Sequence, residues 1–261
     1  MKALVVLTLV CLLAGGASAR TLRIAADPNN LPFSNDREEG FENALASMLA
    51  RDLGAGIEYV WRAQRRGFFR ESFQGDRCDL VLGAPVGFER AHVTAPYYRS
   101  SYVFVTRDGL AIASLDDPRL KTLRVGIAVV GDDGADPPTT LALARRGIVD
   151  NVTGFSVYGD YREPSPPLRL LDALDRGQID VALGWGPVAG AAAHARPGAY
   201  RITPVTPDPD PLTGMPFSFA IGIGVRKDEP ALAREIESFL ARRRPDIERL
   251  LDAHGIPRTA P

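Results

Sequence analysis

Leu22-Arg23-Ile24-Ala25-Ala26 runs directly into Asp27-Pro28-Asn29-Asn30-Leu31-Pro32-Phe33, and Gly40-Phe41-Glu42-Asn43 follows closely. The first stretch reads as a short apolar strand, the second as a loop punctuated by proline and asparagine, the third as the start of a helix. A buried strand that stops on such a loop and restarts as a helix sets the loop at the carboxyl rim of a sheet. That rim is where open α/β sheets bind ligands.

The same alternation continues outward. Phe41, Leu45, Met48 and Leu49 form one helical stripe, closed by Gly54. Residues 57–61 alternate as a strand, and 66–74 make a short helix with Phe68, Phe69 and Phe73 inward. Residues 79–83 are a buried strand ending on Gly83-Ala84-Pro85, and 101–106 another strand. A second set follows: strand 123–130 with the exit loop Gly131-Asp132-Asp133-Gly134, helix 139–146, strand 155–158 and helix 167–176. Strand 179–184 then ends on Trp185-Gly186-Pro187, and strand 200–205 completes the set. A proline-rich crossing over 204–216 leads to strand 217–226 and two amphipathic helices, 229–242 and 245–253. No internal repeat of fixed period is read.

Alternating strands and helices predict an α/β protein of mostly parallel sheets flanked by helices. The second set is read as a lobe of residues 107–215 inserted into a first lobe of 20–106 and 216–261. The chain would leave near Val105-Thr106-Arg107 and return near Met215-Pro216-Phe217. Two crossings make a hinge, and a hinge leaves a cleft that can close on a ligand.

Residues 1–19 read as a secretory signal, with Lys2, an apolar run over 4–13 and Ala17-Ser18-Ala19 before Arg20. The run is well short of the roughly 20 residues a membrane span needs, so the mature chain is expected in the periplasm with no span. Basic and acidic residues balance, 31 against 32, which leaves no basic stripe for nucleic acid. Removal of Cys11 with the signal leaves Cys78 alone, a small buried hydrophobe rather than half of a disulfide. His92, His194 and His254 are scattered, with no GxSxG elbow, HExxH pair or glycine-rich phosphate loop. No catalysis, metal or cofactor is expected of this chain.

Four loops fall at strand ends: 27–33, 83–85, 131–136 and 185–187. If the lobes face each other they converge on one cleft. Asn29, Asn30 and Phe33 come from the first and Pro85 from the second. Asp132 and Asp133 of the third suit a cation, a hydroxyl-rich ligand or a plain helix cap. Trp185, between two glycines that leave its faces uncovered, is the leading aromatic candidate. Arg65 and Arg66 have the geometry to clamp a carboxylate or to be a solvated helix start. Tyr97, Tyr98 and Tyr102 lie near the hinge, where stacking on a ligand and core packing are equally open. Glu89 joins the cleft set, and Glu42 with Glu89 is weighed as an acid/base pair against a helix-start role for Glu42. Asp208 and Asp210, between prolines, are expected to face solvent.

Laid out in order, the stretches DPNNLPFSN, GFENALA, QRRGFFR, CDLVLGAPVGFE, PYYRSSYVF, GDDGADPP, ALARRGIVDN, VYGDYR and WGPVAG span Asp27 to Gly190. Together they resemble the two-lobed type II periplasmic binding proteins. Within these the chain is similar to the MxaJ/XoxJ-type proteins associated with quinoprotein methanol dehydrogenases. One segment departs from ordinary amino-acid receptors. Glu89-Arg90 stands closer to Pro96-Tyr97 than the carboxylate-clamping arginine does there, so Arg90 is not carried over as a clamp. The resemblance implies a periplasmic accessory of a pyrroloquinoline-quinone (PQQ) alcohol dehydrogenase, with the lanthanide-dependent methanol dehydrogenase as the leading partner. Such an accessory assists maturation or activation by binding the enzyme or its cofactor. A c-type cytochrome of the same system is a further expected partner. The alternative is a receptor that hands a small polar solute to an ABC permease.

Overall fold

The computed structural model describes residues 20–65, 67–74, 77–107, 109–129, 137–157, 162 and 164–259. In the first lobe β1 (Thr21–Ala26), β4 (Gly56–Trp61) and β5 (Leu80–Pro85) lie parallel in the order β4-β1-β5. Helix α1 (Phe41–Leu53) returns the chain from β1 to β4, and α2 (Phe68–Phe73) packs with Cys78 on the other face. Between β1 and α1 the loop carries a small hairpin, β2 (Asn29–Asn30) with β3 (Ser34–Asn35). Strand β6 (His92–Val93) adds a short edge. Cys78 is fully buried, and burial pushes its thiol up to about 11.

The crossing strand is β7 (Tyr98–Thr106). Tyr98–Ser101 pair antiparallel with β12 (Ser218–Val225) of the first lobe. From Tyr102 to Thr106 the same strand pairs with β10 (Val181–Trp185) and β11 (Arg201–Pro204) of the second. The change of partner therefore falls at Ser101-Tyr102, inside an unbroken strand, and Val105 and Thr106 already belong to the second sheet. There β10, β8 (Val125–Val129) and β9 (Val152–Ser156) run parallel. Each lobe thus holds a parallel triplet, and the strands that join the lobes are antiparallel.

Alternation along β7 sorts its side chains onto two layers. Phe104 enters one core with Val125, Val181 and Leu183, next to α3 (Pro138–Arg145). Val103 and Val105 enter the other with Ala182 and the leucines of α4 (Arg169–Asp175). The first lobe's core lies between its sheet, α1 and the closing helices α6 (Pro230–Arg242) and α7 (Arg244–Ala253).

The lobes repeat one device, although the sequence carries no repeat of fixed period. Arg23 N donates to Asp79 Oδ2 at 2.8 Å and its guanidinium pairs with the same carboxylate. Arg124 N donates to Asp180 Oδ2 at 2.9 Å and pairs likewise. The partners are 56 residues apart in both cases, within the related stretches LRIA…DLVLG and LRVG…DVALG. Two lobes built on one plan explain why their strand ends face a common cleft.

Helix α5 (Gly186–Ala195) has no counterpart in the reading of the sequence, which places only a loop at Trp185-Gly186-Pro187. Its residues are nearly all small, so no apolar stripe marks it, although alanine is the best helix former. Small size is its purpose. Ala189 and Ala192 pack on the second lobe while Val188 and Ala191 touch the first lobe's core. The C-terminal segment closes over the helix: Ser100 Oγ donates to Pro257 O at 2.8 Å, and Thr259 N to Arg99 O at 3.0 Å. A side chain on Gly190 would overlap Gly255 O and Pro257 Cδ. Gly190→Ala is therefore expected to cost about 1–3 kcal/mol, checked by urea denaturation.

Asp208 is exposed, as expected, whereas Asp210 does not face solvent. Asp208 Oδ1 accepts from Phe217 N at 2.7 Å, and Asp210 is fully buried against Arg146 at 2.7 Å. Burial raises the Asp210 carboxyl, and bonds from Arg146 and Thr213 more than reverse that, leaving it lowered. The ion pair ties the returning crossing to α3, which the proline spacing alone does not reveal.

Candidate functional site

Asp27 organises the opening loop. Its Oδ1 accepts from Asn29 N at 2.8 Å, and its Oδ2 from Gln64 N at 2.7 Å. Asn30 Nδ2 then donates to Gln64 Oε1 at 2.8 Å, so the loops after β1 and β4 are knitted together. Burial raises the Asp27 carboxyl, and the two backbone bonds partly offset this. The loop lies on the N-terminus of α1, where Phe41 N donates to Pro32 O and Glu42 N to Phe33 O, both at 2.9 Å. Those carbonyls satisfy donors that a helix end leaves free.

This arrangement brings Phe33 and Glu42 to a cleft of about 320 Å³ between the lobes. Pro85, Tyr98, Phe219 and Ile221 complete the first lobe's wall, with Phe69 and Gln64 at one side. Tyr102 and Trp185 supply the rest. Trp185 lies 5.3 Å from Tyr102 and 6.1 Å from Phe219, centroid to centroid, both inclined. Behind Trp185 a smaller apolar cavity of about 60 Å³ is lined by Asn30, Val105, Leu170 and Val188 among others. Ser165 N donates to Asn29 Oδ1 at 3.1 Å, a direct contact between the lobes.

The electrostatics are those of a dry site. Desolvation pushes the Glu42 carboxyl up to about 8 and the Tyr102 hydroxyl up to about 12. Both are neutral at pH 7 and both donate as well as accept. Gly83 makes room for the carboxyl, since a Cβ there would stand 2.6 Å from Glu42 Oε1. No arginine, lysine or histidine lines this cleft among the described residues.

Of the residues singled out from sequence, Phe33, Pro85, Tyr98 and Trp185 meet in the cleft. Asn30 lines the inner cavity and Asn29 a separate pocket shared with Pro28 and Ser165, so neither lines the cleft itself. Tyr97 is buried beneath, its ring 4.9 Å from that of Tyr98 and its hydroxyl without a partner. Arg65 and Glu89 are exposed and outside the described lining, which separates Glu89 from Glu42 as an acid/base pair. Arg66, Asp132 and Asp133 lie outside the described residues. Phe219, Phe69 and Gln64 join the lining without a signal in the sequence. Only the antiparallel register of β12 against β7 brings Phe219 to Tyr102, 6.4 Å away.

Among the described residues no cluster of His, Cys, Asp and Glu is grouped to hold a metal ion, and no helix is long and apolar enough to cross a membrane. No protein-family model matches the chain. It is 30% identical to Protein MoxJ of Methylorubrum extorquens, over 92% of this chain and 82% of that one. The crystal structure of periplasmic binding protein XoxJ from Methylobacterium extorquens superposes with a TM-score of 0.72 at 31% identity, covering 92% of this chain and 100% of that one. MxaJ from Methlophaga aminisulfidivorans gives a TM-score of 0.75 at 27% identity, covering 91% and 100%. A fold built of two like lobes, an aromatic cleft between them and relatives matched along nearly the whole chain agree with one another: this chain belongs to the MxaJ/XoxJ-type branch of the type II periplasmic binding proteins.

Proposed function

We propose that this protein works in the periplasm as a non-catalytic accessory of a PQQ-dependent methanol dehydrogenase, holding a segment of the enzyme in its interlobe cleft during maturation or activation. The observation that carries this reading is the lining of the cleft. Aromatic faces and apolar side chains suit the side chains of a partner segment. A zwitterionic amino acid would meet no described cation for its carboxylate. The quinone cofactor, which carries several carboxylates, is disfavoured on the same ground, so of enzyme and cofactor the enzyme is the better cargo.

The test is direct. The purified dehydrogenase, in its immature form, should bind this protein in titration calorimetry, and enzyme from a deletion strain should be under-activated. Replacing Trp185 and Phe219 together with alanine should weaken the complex at least about tenfold, as for two central aromatic anchors. Normal dehydrogenase activity in the deletion strain, with no complex in vitro, would sink the proposal.

A further inference from the structure

Glu42 is an expensive residue for an empty-handed cleft. It is 7% exposed, it opens on the aromatic lining, and no cation among the described residues stands against it. The titratable groups facing it are Tyr59 of β4, Tyr97 just before β7, and Tyr98 and Tyr102 of β7. Gly83, Pro85, Phe219 and Ile221 are what β5 and β12 present to the same space. The carboxyl occupies space that β5 leaves open at Gly83, where a Cβ would stand 2.6 Å from Glu42 Oε1. A buried charge is normally paired or absent. Here no partner stands among the described residues, while the surrounding walls are ring faces, which attract cations in their own right.

We propose that Glu42 is the counter-ion for a cationic group brought by the bound segment, a lysine ammonium or arginine guanidinium enclosed by Phe33, Tyr98, Tyr102, Trp185 and Phe219. This rests on the reading of the cleft as a dock for an enzyme segment and names the chemistry that the dock selects. The carboxyl sheds its proton when the cation enters. Association therefore releases a proton below the carboxyl's own titration and tightens as pH rises.

Two small probes separate charge from shape: N-acetyl-lysine methylamide and its uncharged analogue N-acetyl-norleucine methylamide. Binding is followed by tryptophan fluorescence, and by calorimetry in buffers of different ionisation enthalpy. The lysine probe should bind at least about tenfold more tightly than the norleucine probe at pH 8 and release close to one proton at pH 7. Its affinity should rise by up to about tenfold per pH unit from pH 6 and level off above pH 8. Glu42→Gln should abolish the preference and the proton release. Equal affinity for the two probes, or a lysine preference that persists in Glu42→Gln, overturns the assignment. If neither probe binds and the dehydrogenase complex still forms, the cation assignment falls and the dock stands. If the lysine preference is found without a dehydrogenase complex, the dock falls and the cation site stands.

Discussion

Glu42→Gln should make the folded protein more stable above neutral pH, by roughly 4 kcal/mol at pH 8, and should remove most of the decline in stability between pH 5 and pH 8. The carboxyl titrates at its ordinary 4.5 when unfolded and at about 8 when folded, through desolvation. Between those values the folded state holds a proton that the unfolded state has lost. Stability therefore falls as pH rises, by about 1.4 kcal/mol per unit. The favourable contribution is complete below pH 4.5 and gone above about pH 8. An opposing effect exists, since Glu42 stands in the first turn of α1, where the helix dipole favours the charged form. That is worth about 0.3–1 kcal/mol, too little to reverse burial. Glutamine keeps the shape and cannot ionise. Urea denaturation at pH 5, 6, 7 and 8 measures the difference, and curves that stay parallel for the two proteins would show that the carboxyl is charged in the fold.

The parts of the fold that sequence discloses are those where the chain announces a change of state. Asp27-Pro28-Asn29-Asn30 ends β1, Gly54 ends α1 and Pro138 starts α3, each by a local backbone rule. Helix α5 escaped because nothing in Gly186 to Ala195 distinguishes one face from another. Its sides are set by two lobes that only meet in three dimensions. The exit from the first lobe escaped for a related reason: β7 keeps a strand's alternation throughout, and only its neighbours change, at Tyr102. Asp210 was misjudged because its partner Arg146 lies 64 residues away. The cleft was legible in the strand ends at 27–33, 83–85 and 185–187, the loop at 131–136 lying outside the described residues, but not as a chemistry. Phe33 and Trp185 sit on those ends, whereas Phe219 enters by register and Glu42 by the gap that Gly83 leaves. Arg65 and Glu89 look functional by composition, yet they occupy turns that face outward.

Gly40→Ala should cost roughly 3–5 kcal/mol, more than the same change at Gly54, even though only Gly54 has a left-handed backbone. Gly40 has φ −78° and ψ 160°, which any residue adopts. Its requirement is space. A Cβ would overlap the carbonyl of Phe33 and stand 2.6 Å from Ser34 N, so backbone would have to move. Those same atoms cap α1, because Phe33 O accepts from Glu42 N and Pro32 O from Phe41 N. Overpacking costs about 1–3 kcal/mol, and each strained or lost bond adds about 0.5–1.5 kcal/mol. Gly54, by contrast, has φ 61° and nothing within 4 Å of an added Cβ, so alanine there meets only the left-handed penalty of about 1–2 kcal/mol. The consequence reaches the cleft. Phe33 packs 5.5 Å from Phe41 and is held by the segment that must shift. Gly40→Ala should therefore lose partner binding at temperatures where it is still folded, while Gly54→Ala should keep it. Urea denaturation of the two variants, followed by calorimetry with the dehydrogenase well below each midpoint, decides the matter. A cost at Gly40 no larger than at Gly54 would show that the loop yields freely, and that the strand-to-helix junction does not hold Phe33 in the site.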